Sequence, residues 1–235
     1  MMEIKLNKKP KGPIIIEGFP GLGLIGTIST EFLIKHLGAE SIGNIWSKNL
    51  MPIAAVHESR IVQPLEIFYS KKHNIVIVHA LSDIKGMEWE ISEALVKIYK
   101  DLGAKEIISL EGIMSKNENA DAYFVASDNK VKKKMVSVQI NELKEGIIMG
   151  VTAALMLKDK GVNSTGIFVG THSKLPDSRS AAKAIEVLDK YLGLNVDYKP
   201  LLKAAEEFES KLKELLENTK NTMKHNKQKN LDYLG

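Results

Sequence analysis

The chain has 235 residues, of which 44% are apolar and 26% charged, values typical of a globular protein with a sizeable core. It contains no cysteine, which excludes disulfides, thiolate metal sites and cysteine nucleophiles. The net charge is +4, but three of the excess charges fall in residues 218–235, and only two of 33 basic residues are arginine, so nucleic acid is a poor candidate partner. With no bilayer-length apolar stretch and no signal-like start, we expect a soluble cytoplasmic protein without a membrane partner.

The first predicted elements surround a glycine-rich turn. Residues 13–17 form an apolar run typical of a buried strand, residues 21–26 read GLGLIG, and residues 24–37 have helical spacing that stops at Gly38. A GxGxxG turn after a strand is a fingerprint of dinucleotide binding, which also needs a carboxylate about 20 residues later. Because the next predicted strand closes without an acid, we interpret the turn as structural. Its glycines then allow the first helix to pack closely on the sheet.

Strand and helix patterns then alternate along the chain. Short runs rich in isoleucine and valine predict strands at residues 41–47, 53–58, 65–70, 74–80, 106–110, 123–126 and 166–169. Helical spacing predicts helices at residues 87–102, 142–158 and 178–192, the last capped by Asp177 or Ser178. This alternation favours an α/β fold, and the consecutive strands between residues 41 and 80 favour a mixed sheet. We therefore predict a three-layer α/β sandwich with a mixed central sheet.

The last part of the chain differs in character. Residues 199–222 carry an a/d pattern over about three heptads, which predicts an amphipathic helix with a narrow seam. Residues 223–235 form a polar tail, rich in lysine and asparagine, that finishes in an apolar cluster and resembles a flexible docking peptide. We therefore divide the chain into an α/β domain at 1–198, the helix at 199–222 and the tail at 223–235. The seam fits equally well against the chain's own domain or against a partner.

Candidate catalytic and metal-binding residues are sparse. No pair among the six histidines has the spacing that places two metal ligands on one helix face, so the sequence predicts no metal site and no cofactor. A nucleophile elbow and a phosphate-binding loop are also missing from the sequence. Four polar residues stand at or just past predicted strand ends, where α/β proteins often bind ligands. They are His57, His79, Asp83 and Glu111.

Four segments of the sequence resemble, in order, the PAC2 or proteasome assembly chaperone family. They are residues 17–26 (EGFPGLGLIG), 51–54 leading to 65–68, 146–151 and 175–182. The resemblance extends over residues 12–198. An ordered set of this kind is far more specific than the GxGxxG motif alone.

This resemblance implies an α/β sandwich similar to the nucleoside phosphorylase fold, used to bind proteins instead of for catalysis. It implies, for archaeal members, homo-oligomers that assist assembly of the 20S proteasome. Some members carry a terminal hydrophobic-tyrosine-any residue motif that inserts between α subunits. Here tyrosine is third from the end and leucine penultimate, so a pocket that hydrogen-bonds a tyrosine hydroxyl would lose that partner, a cost of about 1–3 kcal/mol.

Three hypotheses follow for the function. The first is a non-catalytic, homo-oligomeric chaperone that binds proteasome α subunits, or the 20S core particle, through its surfaces, its C-terminal helix and its tail. The partner-binding residues would then be Phe208, Leu212, Leu215, Leu231, Tyr233, Leu234 and Gly235. The second is an enzyme acting on a nucleoside-like small molecule at the strand ends. The third is an adaptor that binds another small protein through the C-terminal helix.

Overall fold

The computed structural model describes residues 2–57, 60–115, 120–158, 161–172 and 175–205. Within these ranges the strands are β1 (Glu3–Leu6), β2 (Ile14–Gly18), β3 (Glu40–Trp46), β4 (Ala55–His57), β5 (Arg60–Val62), β6 (Leu65–Ser70), β7 (Ile75–Ala80), β8 (Glu106–Met114), β9 (Ala122–Ala126), β10 (Asn141–Glu142) and β11 (Ser164–Thr171). The α-helices are α1 (Ile25–His36), α2 (Glu88–Leu102), α3 (Asn129–Ser137), α4 (Gly150–Lys158) and α5 (Ser178–Leu192).

A nine-stranded mixed sheet forms the middle layer of the described part of the chain. Its strand order is β1-β3-β6-β7-β2-β8-β11-β9-β10. The central strands β7, β2, β8 and β11 are parallel, whereas β1, β3 and β6 on one side and β9 on the other join by antiparallel pairing. The central strands are buried on both faces, which explains why they read as continuous apolar runs. This arrangement confirms the predicted mixed α/β class.

Helices cover both faces of the sheet. Alternate side chains of a strand point to opposite faces, so Ile16 and Ile108 belong to the core under α1 and α5, and Ile15 and Ile107 to the core under α2 and α4. We refer to these as the α1/α5 face and the α2/α4 face. The helices that follow the neighbouring strands β2 and β7 therefore pack on opposite faces. The crevice outside the carboxyl ends of such strands is where α/β folds commonly bind ligands.

The helix predicted at residues 142–158 is wrong in its first half. The structure begins α4 only at Gly150, and the preceding residues form the short strand β10 and an exposed segment. Gly150 has φ of +76°, a left-handed conformation that interrupts any helix arriving from residue 149. The apolar residues of 146–149 satisfied the helical spacing without belonging to a helix.

Three described elements, β1, β5 and α3, had no counterpart in the sequence prediction. Strand β1 pairs with β3 at the edge of the sheet, where its exposed residues give it little apolar character. Helix α3 is rich in lysine and buries only Val131 and Met135. Its recognisable signal is Asp128, whose side chain caps the helix by accepting from the backbone of Lys130 and Val131.

The helical pattern after residue 198 is described only at its start. Residues 199–205 are helical, and Leu201 packs into the core of the α1/α5 face. The seam thus meets the chain's own domain over this first stretch. Every predicted partner-binding residue lies outside the described residues: Phe208, Leu212, Leu215, Leu231, Tyr233, Leu234 and Gly235. The domain boundaries at 198/199 and 222/223 stay predictions.

Candidate functional site

The glycine turn packs directly on the sheet. It connects β2 to α1 through a short 3-10 turn, Leu22–Leu24. A Cβ on Gly26 would stand 2.5 Å from the backbone oxygen of Leu110, and one on Gly18 would stand 2.2 Å from the backbone oxygen of Gly26. Only glycine permits such an approach between helix and strand backbones. The sequence interpretation, in which the glycines of the motif seat the first helix, is confirmed for Gly26.

The turn also packs against the segment that precedes α5. Gly23 has φ of +66°, and its carbonyl accepts a 2.9 Å hydrogen bond from the backbone N–H of Asp177. A Cβ on Gly23 would lie 3.2 Å from Thr171 Oγ1. The chain itself therefore occupies this side of the turn.

Asp177 organises the start of α5. Its Oδ1 accepts from the backbone N–H of Ser180 at 2.9 Å, which makes Asp177 the N-cap and decides between the two predicted caps. Its Oδ2 accepts from the hydroxyls of Thr171 and Ser180 at 2.7 and 2.8 Å. Two segments of the family resemblance, 17–26 and 175–182, thus meet at Asp177, whose carboxylate holds α5 and β11 and whose backbone N–H holds the glycine turn.

A pair of carboxyl groups lies beneath the glycine turn on the α2/α4 face. Glu17 pairs in register with Ser109 of β8, and Glu111 follows two residues later on the same face of that strand. The Thr152 hydroxyl of α4 donates to Glu111 Oε1 at 2.8 Å and hydrogen-bonds with the Glu17 carboxyl as well. Above the pair, Gly21 is exposed, and a Cβ there would stand 3.6 Å from Glu111 Oε2.

Burial raises the pKa of both carboxyls of this pair far above the usual range of glutamate. Glu17 is 1% exposed, and burial together with the charge of Glu111 raises its pKa to about 8, although hydrogen bonds with Ser109 and Thr152 oppose the shift. Burial raises the pKa of Glu111 to about 7, against the hydrogen bond from Thr152. Two adjacent carboxyls cannot both ionise cheaply in a site of low polarity. The pair therefore holds a proton at neutral pH.

The four strand-end residues nominated for an enzyme are not brought together. His79 is buried on the α1/α5 face, where its Nδ1 lies 2.9 Å from Thr30 Oγ1 and burial lowers its pKa. Glu111 lies on the opposite face of the sheet. Asp83 is exposed and accepts from the backbone N–H of Lys85, and His57 ends β4 in a separate two-stranded sheet. Sequence position at strand ends did not reveal which face each side chain occupies.

Apolar side chains project outward from two of the resemblance segments. Ile147 is 87% exposed and Met149 75% exposed, and both precede α4. Met51 and Ile53, before β4, are also exposed. Such residues are not needed for the core, and clustered exposed apolar surface commonly marks a protein contact.

The two-stranded sheet of β4 and β5, which we name the ribbon, is a second outward apolar feature. Val56 and Ile61 stand directly opposite each other in its register, with 75% and 61% of their surface exposed. Opposite residues of a strand pair lie on the same face. The ribbon thus presents a paired apolar face, although two strands alone are marginally stable without a packing partner.

An open groove of about 470 Å³ adjoins the carboxyl end of β8 and the start of β9. Met114 and Tyr123 line it together with residues 142–145, which lead to the exposed segment 146–149. In the described part of the chain, no group of three or more histidine, aspartate or glutamate residues is placed to hold a metal ion.

Among the helices in the described ranges, none combines the length and the apolar character that crossing a bilayer requires.

Fold and sites together define a three-layer α/β protein whose glycine turn packs at Gly23 against the segment before α5 and whose characteristic apolar segments face outward. The chain belongs to the PAC2 family, whose model matches residues 15–216.

Solved and curated relatives agree with this assignment. The chain is similar to Pyrococcus furiosus PbaA, an archaeal homolog of proteasome-assembly chaperone, with 31% identity, a TM-score of 0.85 and coverage of 97% of both chains. An uncharacterised protein of Methanocaldococcus jannaschii is 32% identical over 213 residues, or 88% of this chain and 87% of the relative. Pyrococcus furiosus PbaB, an archaeal proteasome activator, shares the fold with a TM-score of 0.78 and 21% identity, over 91% of this chain and 98% of that chain.

Proposed function

We propose that the protein is a non-catalytic, homo-oligomeric chaperone that assists assembly of the 20S proteasome by binding its α subunits. The observation that carries the proposal is the outward exposure of apolar residues in the family's own segments, with Ile147 and Met149 the most exposed. Core packing does not account for apolar residues at those positions, whereas a protein contact does. The likeness to PbaA supplies the kind of partner.

Self-association is assigned to the ribbon. Its paired Val56 and Ile61 face solvent in the single chain, and a second copy presenting the same face would cover both. A twofold contact uses the same patch on each copy, so one small apolar face is counted twice in the interface. The ribbon also gains the packing that a two-stranded sheet needs for stability.

Contact with α subunits is assigned to the C-terminal region. Residues 199–205 anchor the predicted helix on the domain through Leu201, so the residues that follow start from a fixed place on the body. The proposed contacts are Phe208, Leu212 and Leu215 along the helix, and Leu231, Tyr233, Leu234 and Gly235 in the tail. The apolar side chains of the tail follow a polar linker that would let them reach a pocket on another protein.

Co-purification with proteasome α subunits tests this proposal. Full-length protein should retain α subunits from a lysate or from a purified mixture, and deletion of residues 231–235 should abolish or strongly weaken the retention. The matched control replaces residues 226–230 with glycine and serine, which keeps the chain length and the apolar cluster.

Each outcome has a distinct meaning. Retention by the control but not by the deletion supports docking through residues 231–235. Equal retention by all three proteins removes the tail from the mechanism and leaves the body as the contact. If the intact protein retains no α subunit, the proteasome is not its partner.

A further inference from the structure

The buried carboxyls of this protein fall into two kinds, according to how their oxygens are satisfied. Glu66 Oε1 accepts from Ser41 and its Oε2 from the backbone N–H of Gln63. Glu106 accepts from Thr165 at Oε1 and from Tyr191 at Oε2. Both are 96% or more buried, and both oxygens of each have a donor.

Glu17 departs from this rule although it is the most buried of the three. Its Oε1 has no hydrogen-bond partner in the described part of the chain. A buried polar atom without a partner is uncommon in a folded protein and calls for an explanation, of which a bound ion is one. The Glu17 carboxyl is near enough to Glu111 for the two charges to interact, so a partner for this oxygen must be positively charged or a donor.

The oxygens around this atom are those of a hard cation site. Glu17 and Glu111 supply carboxylates once a cation displaces the proton that they hold, and the hydroxyls of Ser109 and Thr152 lie in contact with the Glu17 carboxyl. No nitrogen or sulfur side chain takes part in these contacts, which disfavours zinc and copper. Small hard cations such as Mg²⁺ are commonly held by only one or two carboxylates, with water completing the shell.

The position of the pair gives a cation access from solvent. Glu111 is half-buried, and its Oε2 lies beneath the exposed Gly21, which has no side chain to cover it. Glu111 Oε1 faces Gly150, where a Cβ would stand 3.8 Å away. The pair also lies at the carboxyl ends of β2 and β8, the edge of the sheet where α/β proteins place their ligands.

We propose that Glu17 and Glu111 form a binding site for one Mg²⁺-type divalent cation, with Thr152 and Ser109 as hydroxyl contacts. The cation would join β2, β8 and α4 beneath the glycine turn. This site is independent of the chaperone function proposed above, because neither the ribbon nor the C-terminal residues contribute to it.

Thermal unfolding of the full-length protein tests the site. After treatment with EDTA and exchange into KCl buffer, MgCl₂ or MnCl₂ at about 100 times the dissociation constant should raise the melting temperature by about 5–10 °C. KCl at matched ionic strength should give no such rise. Glu17→Gln and Glu111→Gln should each lose the response.

Glu106→Gln is the matched control, because it removes a buried carboxylate whose two oxygens are already satisfied. It should keep the full response to Mg²⁺. A direct count by Mn²⁺ electron paramagnetic resonance should find one ion per wild-type chain and none in Glu111→Gln, a half-buried position where folding is least at risk. No response in the wild-type protein, or an equal response in all variants, would overturn the site.

Discussion

Glu17 places an ionisable group within an otherwise apolar strand, and this sets a pH dependence for the fold. Its pKa is about 8 in the folded protein against 4.5 for an ordinary glutamate. Between these values the unfolded chain has released the proton while the folded chain still holds it. The unfolded state therefore binds fewer protons, and the free energy of unfolding falls as pH rises from about 4.5 to about 8.

In cation-free buffer with EDTA, Glu17→Gln should remove the fall in the free energy of unfolding that Glu17 causes as pH rises. A glutamine amide stays neutral and can still donate toward Glu111, so the variant should be more stable than wild type at pH 8 by about 1–3 kcal/mol and gain little at pH 5. Urea unfolding at both pH values measures the difference. The control is Glu40→Gln, a surface partner of Lys8, which should leave the pH slope between 5 and 8 unchanged. A Glu17→Gln variant with the same slope as wild type would contradict the raised pKa.

Gly26 shows how a single missing methyl group determines helix placement. Replacing glycine by alanine inside a helix ordinarily stabilises a protein by about 1 kcal/mol. Here the new Cβ would stand 2.5 Å from the Leu110 carbonyl and 2.9 Å from Gly18 Cα, both of them backbone atoms that cannot rotate away. Gly26→Ala should therefore destabilise by about 1–3 kcal/mol or more, the opposite sign.

The comparison for Gly26→Ala is Gly38→Ala, because a Cβ at Gly38 would meet nothing within 4 Å. Gly38 has φ of +55°, so Gly38→Ala should lower the free energy of unfolding by about 1–2 kcal/mol, the cost of holding an alanine in the left-handed conformation. Chemical denaturation of both variants separates steric overlap from backbone preference. A stabilised Gly26→Ala protein would show that α1 does not pack this closely on β2 and β8.

At the scale of elements, the two aspartate caps differ in what they hold together. Asp128 caps α3 through the backbone N–H groups of Lys130 and Val131. Asp177 caps α5 and also accepts from the hydroxyls of Thr171 and Ser180. Asp128→Ala should cost about 1 kcal/mol, the usual value for a cap, and Asp177→Ala clearly more, because a buried network loses its acceptor. Equal losses in urea unfolding would show that Asp177 is only a cap.

Local signals predicted those elements whose ends carry a chemical marker. Helix α5 was predicted at its observed bounds, since Asp177 begins it and Gly193 ends it in a left-handed conformation. Residues 142–149 were misassigned, because apolar spacing says nothing about the φ of Gly150. The carboxyl pair was also missed. Glu17 stood in the quoted motif, but its contact with Glu111 depends on the register of β2 and β8, which no local pattern encodes.

At the scale of the whole molecule, polar and apolar groups are placed against the usual expectation in two regions. The Glu17 carboxyl lies in the interior beside the half-buried Glu111, where a fold normally places apolar groups, and apolar residues lie outside on the ribbon and on residues 146–149. The interior site links strands to α4, and the outer surfaces are free in a single chain. Stability and assembly thus draw on separate groups, so substitutions in one region should leave the other unaffected.

The ribbon gives the most direct test of self-association. The double variant Val56→Ser and Ile61→Ser removes the paired apolar face but touches no core residue, so its circular dichroism spectrum should match wild type. Each such side chain is worth about 1.5–3 kcal/mol when buried, and a twofold contact loses both on each copy. The dissociation constant of the oligomer should therefore rise at least about 100-fold, giving a smaller species in sedimentation velocity at micromolar concentration.

The control is Val136→Ser, which replaces an exposed valine on α3 and should keep the wild-type mass. If the double variant also keeps that mass, the ribbon is not the contact between copies, and the exposed residues 146–149 become the next surface to test.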